Sequence, residues 1–153
     1  YNDVKSEEIK VISGIAKVID GDTIKINKKK IRLMGIDAPE KKQMCKKTWL
    51  SISLISFEKE YSCGQISTDR LKNKIGGKFV ICNYTNKDRY KRYIAECFLD
   101  RININAWMVR TGQAVAYKKY SKKFVAQENI AKKEKSGLWS GTFEMPWDWR
   151  KKK

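Results

Sequence analysis

Histidine is absent from the 153-residue sequence. That excludes imidazole metal ligands, Ser-His and Cys-His nucleophile pairs and a histidine general base. Acid–base chemistry would have to run through carboxylates, Lys, Tyr, Cys or bound water. Long apolar runs are missing too. The longest stretch free of charged residues, Thr48–Phe57, falls far short of the ~18 apolar residues that a spanning helix needs. Acidic residues are few: 17 Asp plus Glu stand against 34 Lys plus Arg, a formal net charge of +17. A hydrophobic content of 41% and an aromatic content of 11% nevertheless argue against a disordered chain. There is no internal repeat and no interdomain linker, and the length suits one domain over residues 1–153 with a core large enough to fold alone. The surplus positive charge points to polyanions: nucleic acid first, anionic lipid or polysaccharide second.

The charge is unevenly spread. Residues 1–40 carry 8 basic and 7 acidic groups, whereas residues 41–117 carry 15 and 6 and residues 118–153 carry 11 and 4. The near-neutral first segment holds Asp20, Asp22, Asp37 and Glu40. Such a cluster can be turn-formers and N-caps, or a hard-cation site built from carboxylate oxygens.

Four cysteines occur, Cys45, Cys63, Cys82 and Cys97, without a C-x-x-C pair. With no histidine, a zinc site would need all four in one place. Gly77–Thr85 and Lys91–Leu99 read as strands around the polar turn Asn86-Lys87-Asp88-Arg89. A hairpin centred there sets Cys82 and Cys97 roughly opposite, within disulfide reach. Cys45 and Cys63 then pair by elimination. Two disulfides imply an oxidising compartment, periplasmic or secreted. No leader segment is visible, so export implies that this chain is the processed form. The alternative is four buried thiols in a reducing compartment.

Along the chain, Glu8–Ile19 reads as a β-branched strand with an irregularity at Gly14. A turn at Asp20-Gly21-Asp22 leads to strands over Thr23–Asn27 and Lys30–Ile36, ended by Ala38-Pro39. Lys41–Gly64 fits no clean period, and we read it as an enlarged loop. Helices are expected over Gln65–Ile75, Ile104–Arg110 and Val125–Lys135, and Gly76, Gly112 and Gly137 stand just past their ends. The Trp- and Lys-rich tail over 141–153 and an N-terminal extension over 1–9 flank this body. In the tail, Trp147 and Trp149, like Trp139 before them, read as packing residues, and Lys151–Lys153 as a solvated end or a nonspecific phosphate anchor. The fold class is α+β, and five short strands with about three helices suit an OB-fold-like β-barrel. Periodicity alone does not select that barrel over other α+β arrangements.

Three blocks carry a sharper signal: Val18–Ile24 (VIDGDTI), Ile31–Glu40 (IRLMGIDAPE) and Asp88–Arg92 (DRYKR). In order and spacing they resemble the staphylococcal nuclease (thermonuclease) family, and Trp107–Gly112, Val115–Tyr117 and Ala131–Ser140 agree. The resemblance runs from about Lys10 to Ser140, making the chain a single thermonuclease-like domain. The paired cysteines and the tail Met145–Arg150 look like an exported bacterial branch. The resemblance implies a Ca²⁺-dependent phosphodiesterase on an OB-fold barrel that cleaves DNA and RNA at the P–O5′ bond. It matches Asp22 and Asp37 to metal carboxylates and Ala38 to a metal-binding backbone carbonyl. Glu40 matches the proposed general base, Arg32 and Arg92 the phosphate-binding arginines. Arg89, Tyr90 and Tyr117 match positions around the bound nucleotide. Two departures stand out: Lys91 where the family often has Gly, and the longer 41–64 segment.

The residue chemistry agrees. A hard divalent cation, Ca²⁺ or another, suits carboxylate oxygens and can polarise a phosphate. A carboxylate is the natural base where histidine is missing. Arginine forks bind phosphate oxygens bidentately. Tyrosine faces stack on bases, and net positive charge attracts the strand. The bland readings are turn residues for Asp22 and Asp37, surface charges for Glu40 and Arg92, a strand-face arginine for Arg32 and half-buried aromatics for the tyrosines. The rival class is a noncatalytic nucleic-acid binding module on the same barrel. A third reading is a cationic protein that binds anionic surfaces. No membrane span and no obligate protein partner are expected.

Overall fold

The computed structural model describes residues 8–52 and 55–152. The expected N-terminal extension therefore lies largely outside the described residues, as does Lys153. Strands β1 (Lys10–Ile15) and β2 (Lys17–Asp20) form one bent ribbon broken at Ala16. It is followed by β3 (Thr23–Ile26) and β4 (Lys29–Leu33). The β3–β4 turn runs through Asn27 at φ 48° and Lys28 at φ 66°, the positive-φ pair that matches the twist of a tight hairpin. A two-residue strand β5 (Ile36–Asp37) comes next, with Pro39 just past its end. The segment read as an enlarged loop forms a hairpin, β6 (Cys45–Ile52) and β7 (Ile55–Tyr61). Helix α1 (Cys63–Ile75) then leads to β8 (Phe79–Lys87) and β9 (Tyr93–Leu99).

The chain continues through β10 (Ile102–Asn103), α2 (Ile104–Arg110), β11 (Val115–Ala116) and α3 (Val125–Glu134). A 3₁₀ turn, Gly137–Ser140, precedes β12 (Gly141–Thr142) and a short helix α4 (Pro146–Lys151) in the tail. The sheet order β1-β8-β9-β4-β3-β2 places the two halves of the bent ribbon at opposite ends. Because those halves are continuous in the chain, the sheet curls into an OB-fold-like half-barrel. Cys82 stands opposite Cys97 in the β8–β9 register, and the two are bonded. Cys45 is bonded to Cys63, tying the foot of the β6–β7 hairpin to the start of α1.

Alternation along the strands points Ile24, Ile26, Ile31 and Leu33 inward, where α1 and α2 cover them with Leu71, Ile75 and Met108; all are buried. Each such side chain contributes roughly 1.5–3 kcal/mol by leaving water. Arg32, between Ile31 and Leu33, points the other way. A buried Asn105 donates from Nδ2 to the Met34 and Ala95 carbonyls at 2.9 and 3.0 Å and accepts from Cys97 N–H at 3.1 Å. It locks the end of β4 to β9. No helix among the described residues is long and apolar enough to cross a membrane.

Candidate active site

One open cleft of about 970 Å³ collects residues from distant parts of the chain. The β2–β3 turn supplies Asp20 and Asp22, β4 supplies Arg32, and the loop after β5 supplies Glu40. The β8–β9 loop adds Arg89, Tyr90 and Arg92, while the segment after β11 adds Tyr117 and Tyr120. The tail helix contributes Arg150.

The acidic end is packed from below by α1. A Cβ on Gly21 would overlap Ser67 Oγ, and one on Gly64 would overlap the Glu40 carbonyl oxygen. The missing side chains thus let α1 seat both acidic loops. Asp22 Oδ2 accepts the Ala38 N–H at 2.8 Å, which draws the end of β5 against the β2–β3 turn. Gln43, buried, shapes the Glu40 loop. Its N–H donates to the Glu40 carbonyl at 2.8 Å, and its Oε1 accepts the Glu40 N–H at 3.3 Å.

Asp37 is fully buried and does not itself line the cleft; Arg32 and Arg150, which do, sit on its oxygens. The Arg32 guanidinium bridges two carboxylates, 3.4 Å from Asp22 Oδ2 and 3.4 Å from Asp37 Oδ1. It also donates to the Leu33 and Ile36 carbonyls at 3.0 and 2.9 Å. Burial pushes the Asp20 carboxyl up to about 7, and the Asp22 charge adds to this. Burial also acts on Asp22, but the Arg32 guanidinium and the hydrogen bonds from Asp20 and Ala38 outweigh it and hold Asp22 below the usual carboxylate range. Asp37 is raised to about 6 by burial, against the pull of Arg150 and Arg32.

This end of the cleft holds more negative charge than Arg32 alone balances, and its donors are hard oxygens. Among the described residues no three carboxylates already converge as a metal cluster. Arg150 bridges Asp37 and Glu40 instead, a positive group on these oxygen donors. The donor chemistry and this stand-in charge fit a hard divalent ion.

The opposite wall is basic and aromatic. Asp88 Oδ1 accepts the Tyr90 and Arg92 N–H groups, each at 2.9 Å, and Oδ2 accepts Arg92 Nε at 2.7 Å. Slight burial raises the Asp88 carboxyl, but these bonds and the Arg92 charge hold it below the usual range. Asp88 therefore aims Arg92. Lys91 sits at φ 63°, the left-handed conformation that explains the glycine the family often has there. Tyr90 is 63% exposed, with the Arg89 guanidinium 4.9 Å and that of Arg92 5.5 Å from its ring centroid.

Tyr117 is less free. Trp147 stacks on its ring at 5.1 Å with planes 3° apart, and Tyr120 meets it edge-on at 4.6 Å. Burial raises its hydroxyl above the ordinary range, and the Asp37 charge adds to this. The four cysteines lie apart from the cleft chemistry, in the disulfides described above. Asp88, Gln43, Tyr120 and Arg150 escaped the residue reading; only Asp88, within the DRYKR block, had a signal that could have marked it.

Residues 30–141 match the family described as "Staphylococcal nuclease homologue". A protein named "Uncharacterized endonuclease" from Escherichia coli O157:H7 is 37% identical over 147 residues, spanning 91% of this chain and 84% of its own. The "Micrococcal nuclease" of Shigella flexneri is 30% identical over 147 residues, spanning 90% of this chain and 79% of its own. "Succinoglycan biosynthesis protein ExoI" of Rhizobium meliloti (strain 1021) is 33% identical over 131 residues, 84% of this chain and 64% of its own.

Proposed function

Because the chain belongs to the staphylococcal nuclease family, we propose that it is a divalent-metal-dependent endonuclease that hydrolyses phosphodiester bonds of DNA and RNA without regard to the sugar. The observation that carries this reading is the joining, in one cleft, of the carboxylates Asp20, Asp22 and Glu40 with Arg92, an arginine that Asp88 aims. A pure binding module has no use for the acidic end, which repels phosphate.

Asp22 and Asp37, with the Ala38 carbonyl, are the residues we assign to hold Ca²⁺ or another divalent ion. Such an ion supplies Lewis-acid polarisation of the phosphate and orientation of the attacking water. Glu40 takes the proton of that water as its oxygen bonds to phosphorus. The P–O5′ bond breaks, the 5′ oxygen takes a proton from solvent water as it leaves, and Glu40 returns its own proton to solvent. Arg92, held by Asp88, and Arg32, beside the carboxylates, bind the phosphoryl oxygens as charge builds on them. Arg89 and Tyr90 offer a cationic, aromatic surface to the adjoining nucleotide, and Tyr117 borders it. Two disulfides fit an oxidising compartment, so we assign the protein to the periplasm or the extracellular space.

Glu40→Gln should lower kcat by about 10²–10⁴-fold, as expected for loss of a general base. Arg92→Ala should lower it by about 10²–10³-fold, as expected for loss of a charge-stabilising donor. Both should keep the wild-type circular dichroism. Full turnover in either folded variant would remove that residue from the chemistry.

A further inference from the structure

The tail brings a cation to the carboxylates that the proposed chemistry needs free. Arg150 Nη2 donates to Asp37 Oδ2 at 2.8 Å. Its Nη1 donates to Asp37 Oδ1 at 2.9 Å and to Glu40 Oε1 at 3.1 Å. One guanidinium thus covers both oxygens of the buried metal-type carboxylate and one oxygen of the base. A divalent ion and this fork compete for the same lone pairs.

A second contact points the same way. Trp147 lies three residues earlier, on the same face of α4, and covers Tyr117 by the stack described above. A third ties the tail to the catalytic loop: Gln43 Nε2 donates to the Glu144 carbonyl at 2.9 Å. The tail therefore covers the metal end and the nucleotide side of one cleft together. Its hold is limited: α4 is six residues long, Pro146 is its one buried residue, and Met145 and Trp147 are only partly buried against the small cluster of Cys45, Cys63, Val115 and Leu138. Short elements with little burial open at low free-energy cost.

From this geometry we infer that residues 144–152 form an autoinhibitory latch, with Arg150 as a built-in counter-ion that a divalent cation must displace from Asp37 and Glu40. The inference rests on the metal-dependent reading above. In the closed state Arg150 joins Arg32 in offsetting the negative charge, and Glu40 is paired. Metal binding expels Arg150, loosens α4 and uncovers Tyr117. Apparent metal affinity is lowered by the fraction of molecules whose latch is open.

The test is calorimetric titration of Ca²⁺ into the wild type, Arg150→Gln and Trp147→Leu, with no nucleic acid present. Arg150→Gln should bind Ca²⁺ about tenfold more tightly, as for a latch open in roughly one molecule in ten. Trp147→Leu weakens the latch without touching the carboxylates, and it should shift affinity in the same direction. It carries the test alone if Arg150→Gln leaves Asp37 too poorly compensated to fold. In the wild type, saturating Ca²⁺ should speed tryptic cleavage after Arg150 and Lys151. Equal or weaker Ca²⁺ binding by the folded variants would overturn the latch alone. Absence of Ca²⁺ binding in all three proteins would overturn the latch together with the calcium reading.

Discussion

Asp88 shows how much of the site depends on single side chains that position another. Its two oxygens take three donors from the loop that carries Arg92, so it works by aiming that arginine. Asp88→Ala should therefore lower kcat about tenfold or more, because a misaimed donor loses geometry-dependent stabilisation. KM should change little, and Asp88→Asn, which keeps an acceptor for the loop N–H groups, should recover part of the loss. A purely structural role would instead lower stability and leave the kcat of the folded fraction intact. The Asp22, Asp37, Glu40 and Arg32 cluster was legible as a block because its members lie within nineteen consecutive residues, Asp22–Glu40. Arg150 was not legible. Its partner Asp37 lies 113 residues away, and the tail block Met145–Arg150, though it carried a resemblance, gave this arginine no role.

At the scale of elements, α1 is the platform for the acidic loops. Gly64 meets the Glu40 backbone so closely that a methyl group has no room. Gly64→Ala should destabilise the fold by about 1–3 kcal/mol through overpacking and lower activity in the fraction that folds, checked by thermal unfolding beside kinetics. Gly76→Ala, at the other end of α1 and away from the cleft, should leave kcat unchanged in folded protein. The strands through β4, the β8–β9 hairpin and α2 were readable because one face of each is buried, which writes a period into the sequence. The β6–β7 arm left no such period. From Ile55 to Glu60 every residue of β7 is exposed, so no buried face imposes alternation. Helix α4, at six residues, is too short for a helical repeat to declare itself. Where the backbone conformation itself was unusual, the residue type hid it: Lys91 occupies a left-handed position that a glycine would have announced.

For the whole molecule, charge and architecture have separate roles. The net charge of +17 draws a polyanion to every face and says little about where it is cut. The half-barrel supplies location: it brings the β2–β3 turn, the loop after β5 and the β8–β9 loop to one cleft, while Asn105 and two disulfides fix the strands behind them. Within that cleft the acidic end is the feature at odds with the overall charge. A basic protein built only to hold nucleic acid would not keep buried Asp37 beside Asp22 and Glu40. We propose that these carboxylates serve a metal-dependent hydrolysis. Its most direct test is cleavage of single-stranded DNA and RNA by the purified chain with Ca²⁺, with Mg²⁺, and with excess chelator. We predict cleavage of both polymers with a divalent ion and its abolition by chelator. Undiminished cleavage in chelator, or binding without cleavage under every metal condition, would contradict the account.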